Sequence, residues 1–445
     1  MIDIQHQQIF HRIDVFLLLF AAATISMNQY VFLPIAIVWM LTALVEWNWR
    51  KRYRILKENR LLPLALCFFA LYACYLISPL FSNNVSRAIS DWEYKIWLLV
   101  SPVCIMPLIP KLSRKTLSLA MIMFAIPLLF WAIACMGYST YQYAHTGKVW
   151  YFFYDHANLT AFPPSFSHPS YFSLYENVAW FISALFILRR NEWLKYRTVA
   201  ILLWGCLLIL PLHLFLLQSK MGLMLFGLSL LVFIPYSLNY RKRRYGLTAI
   251  VIVALLSCVA FYFYRAHSQP VDKHNNRVAN MFTRLKSDDF EDPRESSSIR
   301  IALWSNALEI GKEHWFCGIG TGDVGDEMQA KAAEHHYKFI ASGRFNCHNQ
   351  YLQVWLGLGI IGLLLLVSIF ALAIANCLRK RSIIGVLTIA LFALNLMVEC
   401  MWERYSGATL IPIVTAIICS IPPAMQSSGK LASHSREALP STSCA

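Results

Sequence analysis

The stretch His348-Asn349-Gln350-Tyr351-Leu352-Gln353-Val354-Trp355-Leu356-Gly357-Leu358-Gly359-Ile360-Ile361-Gly362-Leu363-Leu364-Leu365-Leu366 starts polar and turns apolar within a few residues. The apolar run continues to about Cys377, long enough to cross a bilayer as a helix. Upstream lies a long polar segment, from about Arg265 to Cys347, carrying charges of both signs. Before that segment, one apolar run follows another. The pattern is a membrane chain that leaves the bilayer once at length and re-enters through a His-Asn pair.

Composition agrees. The chain has 445 residues, 58% of them hydrophobic and only 14% charged. Runs of about 20 apolar residues bounded by charge clusters describe a polytopic membrane protein rather than a soluble helical one. The fold class expected is all-α. A formal net charge of +15 in a soluble protein would suggest nucleic acid. Here the basic excess sits in short loops between apolar runs, where it sets topology and faces membrane lipids. No basic segment with interleaved aromatics marks a nucleic-acid partner. The cysteines include no C-x-x-C, so neither zinc nor a redox pair is indicated. Cys317 and Cys347 lie in or beside the polar segment; they form either a disulfide or two separate thiols.

Candidate spans are 13–27, 30–47, 62–80, 93–110, 116–139, 170–188, 198–217, 220–238, 246–264, 349–377, 383–400 and 406–424. This gives about twelve transmembrane helices, the first read as retained rather than as a signal peptide because its leader lacks positive charge. Every even connection is basic: Arg50-Lys51-Arg52, Lys111 with Arg114-Lys115, Arg189-Arg190, Arg241-Lys242-Arg243-Arg244, and Arg379-Lys380-Arg381. The odd connections carry few or mixed charges. This alternation predicts both termini in the cytoplasm and the large loop, between spans nine and ten, on the periplasmic side of a bacterial inner membrane. The domains expected are therefore 1–264, nine spans; 265–347, the loop with short helices; 348–426, three spans; and 427–445, a Ser-rich disordered cytoplasmic tail.

Two loop helices are expected: a short amphipathic one from Ala279 to Lys286, and a longer one from Ser297 to His314 with an apolar stripe of Ile301, Trp304 and Leu308 beside Arg300. A third helical region lies around Met328 to Lys338. The aromatic-rich loop from Tyr143 to Ser167 reads as an interfacial belt. Polar groups gather at the predicted outer ends of spans: His168, Ser219, Lys220, Arg300, His348, Asn349, Glu399, Glu403 and Arg404. Ionisable groups at membrane depth are costly and tend to mark sites. His348 suits general-base activation of a hydroxyl, or equally the capping of the helix it precedes. Arg300 and Lys220 suit a lipid pyrophosphate, or ordinary headgroups and loop carboxylates. Gly318-Ile319-Gly320-Thr321-Gly322-Asp323 reads as a tight turn after a helix, with a backbone nest for an anion as the alternative. Glu399, Glu403 and Arg404, with Asn395 one turn earlier, read as one helical face acting as a structural brace for each other, Lys220 or Arg300. No metal site and no cofactor is indicated, since the loop acids show no paired carboxylates for a metal and sugar nucleotide.

At these residues the chain resembles the O-antigen ligase family, with its O-antigen polymerases and bacterial protein O-oligosaccharyltransferases. The resemblance rests on His348-Asn349 followed by Gly359-Ile360-Ile361-Gly362, on Ser298-Ile299-Arg300 with Leu303-Trp304, on Phe316 to Gly322, and on Ser219-Lys220-Met221-Gly222, where Lys stands in place of the family's Arg. The resemblance implies a GT-C-like fold and metal-independent, inverting transfer of a glycan from a polyprenyl (undecaprenyl) diphosphate-linked donor to an acceptor hydroxyl. Catalytic roles would fall to His348 and Arg300, and substrate-binding roles to Lys220, Ser219, Asn349, His168 and Tyr351. The lipid A-core of lipopolysaccharide is the leading acceptor; polymerisation and protein O-glycosylation are the alternatives. A lipid-linked oligosaccharide flippase is the competing class, though such transporters show repeated halves and discontinuous spans that the sequence does not display.

Overall fold

A computed structural model describes residues 2–25, 31–152, 169–189, 191–238 and 296–422. The predicted span 246–264, the helix 279–286, most of the aromatic loop, His168 and the C-terminal tail lie outside the described residues. The described residues are helical, with no strand among them. Numbered in order, the helices are α1 Ile2–Thr24, α2 Phe32–Glu46, α3 Trp49–Glu58, α4 Leu62–Ile77, α5 Val85–Tyr94, an irregular α6 over 97–111, α7 Arg114–Thr146, α8 Pro169–Leu188, α9 Arg197–Leu216 and α10 Lys220–Leu238. After the gap come α11 Ser296–Glu313, α12 Val324–Glu334, α13 Lys338–Ala341, α14 Gln350–Arg379, α15 Ile383–Asn395 and α16 Tyr405–Ser420.

Among the described residues, six helical runs are long and apolar enough to cross a membrane: Leu62–Leu80, Val85–Lys111, Arg114–Thr146, Pro169–Leu188, Arg197–Leu216 and Gln350–Arg379. The pair α2 and α3 makes a seventh if taken as one span, but the two helices meet at a bend of 105°. Trp47, in the left-handed region at φ 49°, turns the chain there. The basic cluster after α2 is therefore a helix rather than an open loop. Its Arg52 is buried against Glu46, donates to Val103 O at 2.8 Å and lies 3.7 Å from Asp14. The chain is thus an all-α, multi-pass membrane protein.

The side-chain contacts sort the helix ends into two sets. One set joins the basic connections: Asn191 donates to Ser118 Oγ at 3.1 Å, Trp193 Nε1 reaches Lys115 O at 3.4 Å, and Lys380 Nζ meets Ile421 O at 3.1 Å. The other joins the start of α8, the end of α15, and the segments around 78–84, 298–300, 321–323 and 348–350. Among the described helices, α8, α14, α15 and α16 each run from one set to the other.

Residues 296–347 form a cap with a small core of its own. Ile299, Ala302, Leu303, Ala307 and Ile310 of α11 pack on Val324, Met328 and Ala332 of α12, with Leu356 of α14 beneath them. This corrects the stripe expected on α11: Ile301 and Leu308 are exposed. Both rows satisfy helical spacing, and the one facing α12 is the one buried. Helix α12 starts and ends earlier than expected, stopped where His336 takes φ 59° and Tyr337 N returns to Ala332 O at 2.9 Å.

Helix α14 is broken, although the sequence suggested a continuous span. Gly359 takes φ 67° and ψ −166°. A Cβ there would lie 1.9 Å from Phe316 O, so only glycine fits. The freed backbone groups are taken up by the cap: Ile319 N donates to Leu356 O at 2.7 Å, and Ile360 N to Trp315 O at 3.1 Å. The glycine-rich turn is held on its other side by the 78–84 segment. Thr321 N donates to Ser78 Oγ at 2.8 Å, and the Asp323 carboxylate accepts from Asn83 N and Asn84 N, both at 2.7 Å. The tight-turn reading of this run fits its geometry.

Candidate functional site

The site is built around one carboxylate, Glu399, which is 4% exposed. Arg300 Nη2 donates to its Oε1 at 2.5 Å, and His348 Nδ1 lies 3.2 Å from its Oε2. The two residues given catalytic roles from the sequence therefore meet on the same side chain. Arg300 is fixed further by its Nε, which donates to Val398 O at 3.1 Å. The Ser170 hydroxyl, at the start of α8, is 3.5 Å from Glu399 Oε1, a long contact.

Local structure explains each placement. The buried row of α11 sets the rotation of that helix and so brings Arg300 over the 396–400 turn. His348 sits one residue before the cap of α14, in the left-handed region at φ 44°, with its N–H donated to Asn346 Oδ1 at 3.0 Å. That conformation is uncommon for a residue with a Cβ and is held by its surroundings. Asn349 caps α14, its Oδ1 accepting from Tyr351 N at 3.0 Å and Leu352 N at 3.2 Å. Tyr351 ties α14 to α15 by donating to Ala393 O at 3.0 Å. Both have structural work in this geometry.

Glu399 and Glu403 do not share a helix, which corrects the helical face expected from their spacing. Helix α15 ends at Asn395, and 396–404 is an irregular turn. Gln350, fully buried, clamps that turn: its N–H donates to Leu396 O at 2.8 Å and its Oε1 accepts from Trp402 N at 2.8 Å. Glu399 braces Arg300, as one of the sequence readings held. Glu403 instead pairs with Lys95 at 3.2 Å, and Lys95 with Asp91 at 2.7 Å. Arg404 lies over the Tyr171 ring at 5.9 Å from its centre. Asn395 is buried within the fold.

Ser219 and Lys220 open α10 beside this cluster. Ser219 Oγ accepts from Gly222 N at 3.1 Å and from Ser173 Oγ at 3.2 Å, and Ser173 Oγ is also 2.9 Å from Ser170 O. Gly222 has no room for a Cβ, which would lie 2.4 Å from Ser173. Helix α10 is thus pressed against the same turn of α8 that touches Glu399, and Lys220 is carried to that neighbourhood.

Sequence reading missed Lys95, Asp91 and Gln350, and also the pair His213 and Glu176, 2.6 Å apart and buried between α8 and α9. The signal was available for the charged ones: ionisable residues within apolar runs. Cys347 is buried and Cys317 exposed, and both are free thiols, so the disulfide alternative is not realised. Burial pushes the Cys347 thiol above the usual range. Among the described residues no three His, Cys, Asp or Glu side chains group as metal ligands would.

The chemistry available follows from the bonding. A carboxylate on Nδ1 favours the tautomer that carries its proton there and leaves Nε2 as the proton acceptor. An arginine beside that carboxylate adds a planar donor set suited to phosphate oxygens. The fold and this cluster define a multi-pass helical membrane protein with a proton acceptor and a cation held together at one end of the bundle. Residues 204–367 match the family model described as O-antigen ligase. That stretch carries Ser219, Lys220, Arg300, His348, Gly359 and Gly362, and over it the chain is similar to O-antigen ligases. Glu399 lies beyond the matched stretch. No curated protein matches the chain.

Proposed function

We propose that the protein is an inverting, metal-independent glycosyltransferase acting at the periplasmic face of a bacterial inner membrane, with both its termini in the cytoplasm. It moves a glycan from a polyprenyl diphosphate-linked donor to the lipid A-core of lipopolysaccharide. The observation that carries this reading is the shared carboxylate: Glu399 bonds both His348 and Arg300. The acceptor hydroxyl gives its proton to His348 Nε2, and its oxygen attacks the anomeric carbon. The bond from that carbon to the diphosphate oxygen breaks, and the diphosphate leaves with the electron pair. Before transfer the Arg300–Glu399–His348 trio is neutral overall. Once the imidazole takes the proton the trio carries one positive charge, gained as the negative leaving group departs. This is stabilisation timed to the transition state. Lys220, at the start of the neighbouring helix, adds a cation to the donor side, and a diphosphate is already a good leaving group.

The test is reconstitution of the full chain with a lipid-linked oligosaccharide and three acceptors offered separately: lipid A-core, a Ser/Thr peptide, and a second donor. Gain of glycan mass on lipid A-core alone is expected. Gain on the peptide or on the second donor assigns protein glycosylation or polymerisation instead. No transfer to any of them, with donor moved between leaflets, makes the protein a flippase.

A further inference from the structure

A second feature lies outside the catalytic cluster. A cavity of about 1600 Å³ runs along α8 from Leu174 to Arg189 and is walled also by α7, α10, α15 and α16. At 1.5 Å per residue its length along α8 is about 22 Å. Its walls are apolar, with Leu117, Met121, Val178, Phe181, Leu387 and Leu391 among them. At the end formed by the basic connections three guanidiniums line it: Arg114, Arg189 and Arg381. Among the described residues, Glu192 is the one acidic residue in the lining.

We propose that this cavity holds an anionic glycerophospholipid, with acyl chains along α8 and its phosphate at Arg114, Arg189 and Arg381. The volume exceeds the roughly 300–1,000 Å³ of small-molecule pockets and suits two hydrocarbon chains. Guanidiniums fork onto phosphate oxygens, and basic pockets between membrane helices at the cytoplasmic side recognise acidic headgroups. The charge excludes the glycan donor as the occupant in its reactive pose. That donor must present its diphosphate to His348 at the opposite end, and the far end of a prenyl chain offers nothing for three arginines to bind. Positive charge in the connections would by itself set topology, but topology alone does not require the charges to line one apolar trough. The exclusion of the donor and the side assigned to the arginines rest on the proposed function, but the readout is lipid binding, not transfer, so the two can fail separately.

The test uses the full chain in vesicles of phosphatidylglycerol or of phosphatidylcholine, each carrying a photoactivatable diazirine in one acyl chain. Cross-linked peptides are mapped by mass spectrometry. Peptides from α8 and α15 are expected to be labelled, about fivefold or more strongly by phosphatidylglycerol. The combined variant Arg114→Gln, Arg189→Gln and Arg381→Gln is expected to reduce that labelling to the phosphatidylcholine level. Leu387→Trp, which fills the trough and leaves the arginines in place, is expected to lower labelling by both lipids. Arg381→Gln alone keeps the test open if the triple variant does not insert. Equal labelling by the two headgroups, labelling confined to peptides outside the lining, or labelling unchanged by Leu387→Trp overturns the proposal.

Discussion

The two ends of the bundle each bury a guanidinium against carboxylate, and they do so differently. At the basic end Arg52 meets Glu46 and Asp14, with side-chain exposures of 8%, 11% and 10%. Asp14 also accepts from Trp39 Nε1 at 2.8 Å, and Arg52 reaches a backbone carbonyl. The partners are all protein, and the cluster fastens α3 to α1, α2 and α6. At the other end Glu399 is as closed, at 5%, but Arg300 is 21% and His348 28% exposed. The carboxylate is sealed while the two groups it orients stay within reach of a substrate. Similar chemistry in a shut setting holds helices together, and in a half-open one it can act on something else. The Lys95 cluster belongs with the first kind, its lysine being 1% exposed.

That contrast can be broken by substitution. The largest effect is expected from His348→Ala: transfer falls about a thousandfold, the usual scale for losing a general base, while the protein still inserts and lipid-linked donor accumulates. Transfer at the parent rate would remove His348 from the chemistry. Glu399→Gln keeps the shape and removes the charge that orients the imidazole and offsets Arg300. A loss of about a hundredfold in kcat is expected, with a changed pH–rate profile. A change in KM alone would mean that Glu399 only shapes the pocket.

For the closed cluster the expectation reverses. Arg52→Met strands Asp14 and Glu46 and costs about 3–5 kcal/mol of stability, read as a lower Tm and less inserted protein. Rate per folded molecule stays at the parent value; a fall in that rate would erase the distinction between the two ends. The smallest effect concerns labelling. An impermeant maleimide added from the periplasmic side at pH 8 is expected to modify the exposed Cys317 and spare Cys347. Burial raises the Cys347 thiol's pKa, so it stays protonated and unreactive at that pH. Protection of Cys317 in intact cells would put this segment inside the cell.

Much of this was legible beforehand because membrane spans obey a composition rule. The limits of Leu62–Leu80, Pro169–Leu188 and Arg197–Leu216 lie close to those read from hydropathy. Arg300 and His348 stood out as a cation and a titratable group in an outer segment. What could not be read were the irregular places. Nothing local tells Gly359 to take a positive φ; the reason is the Phe316 carbonyl, 43 residues earlier, packed where a Cβ would be. Glu399 and Glu403 are spaced for a helix, and the turn that separates them is held by Gln350 from another element. The buried row of α11 was misjudged for a related cause: two rows had the right spacing, and the partner that chose between them was α12.

The break in α14 has a further consequence. A turn spliced into a membrane helix on one side and stitched to Ser78 and Asn83 on the other is riveted at both edges. Such a cover does not swing like a flap. Under the proposed function, a glycan then reaches the imidazole without any closing motion of this cover.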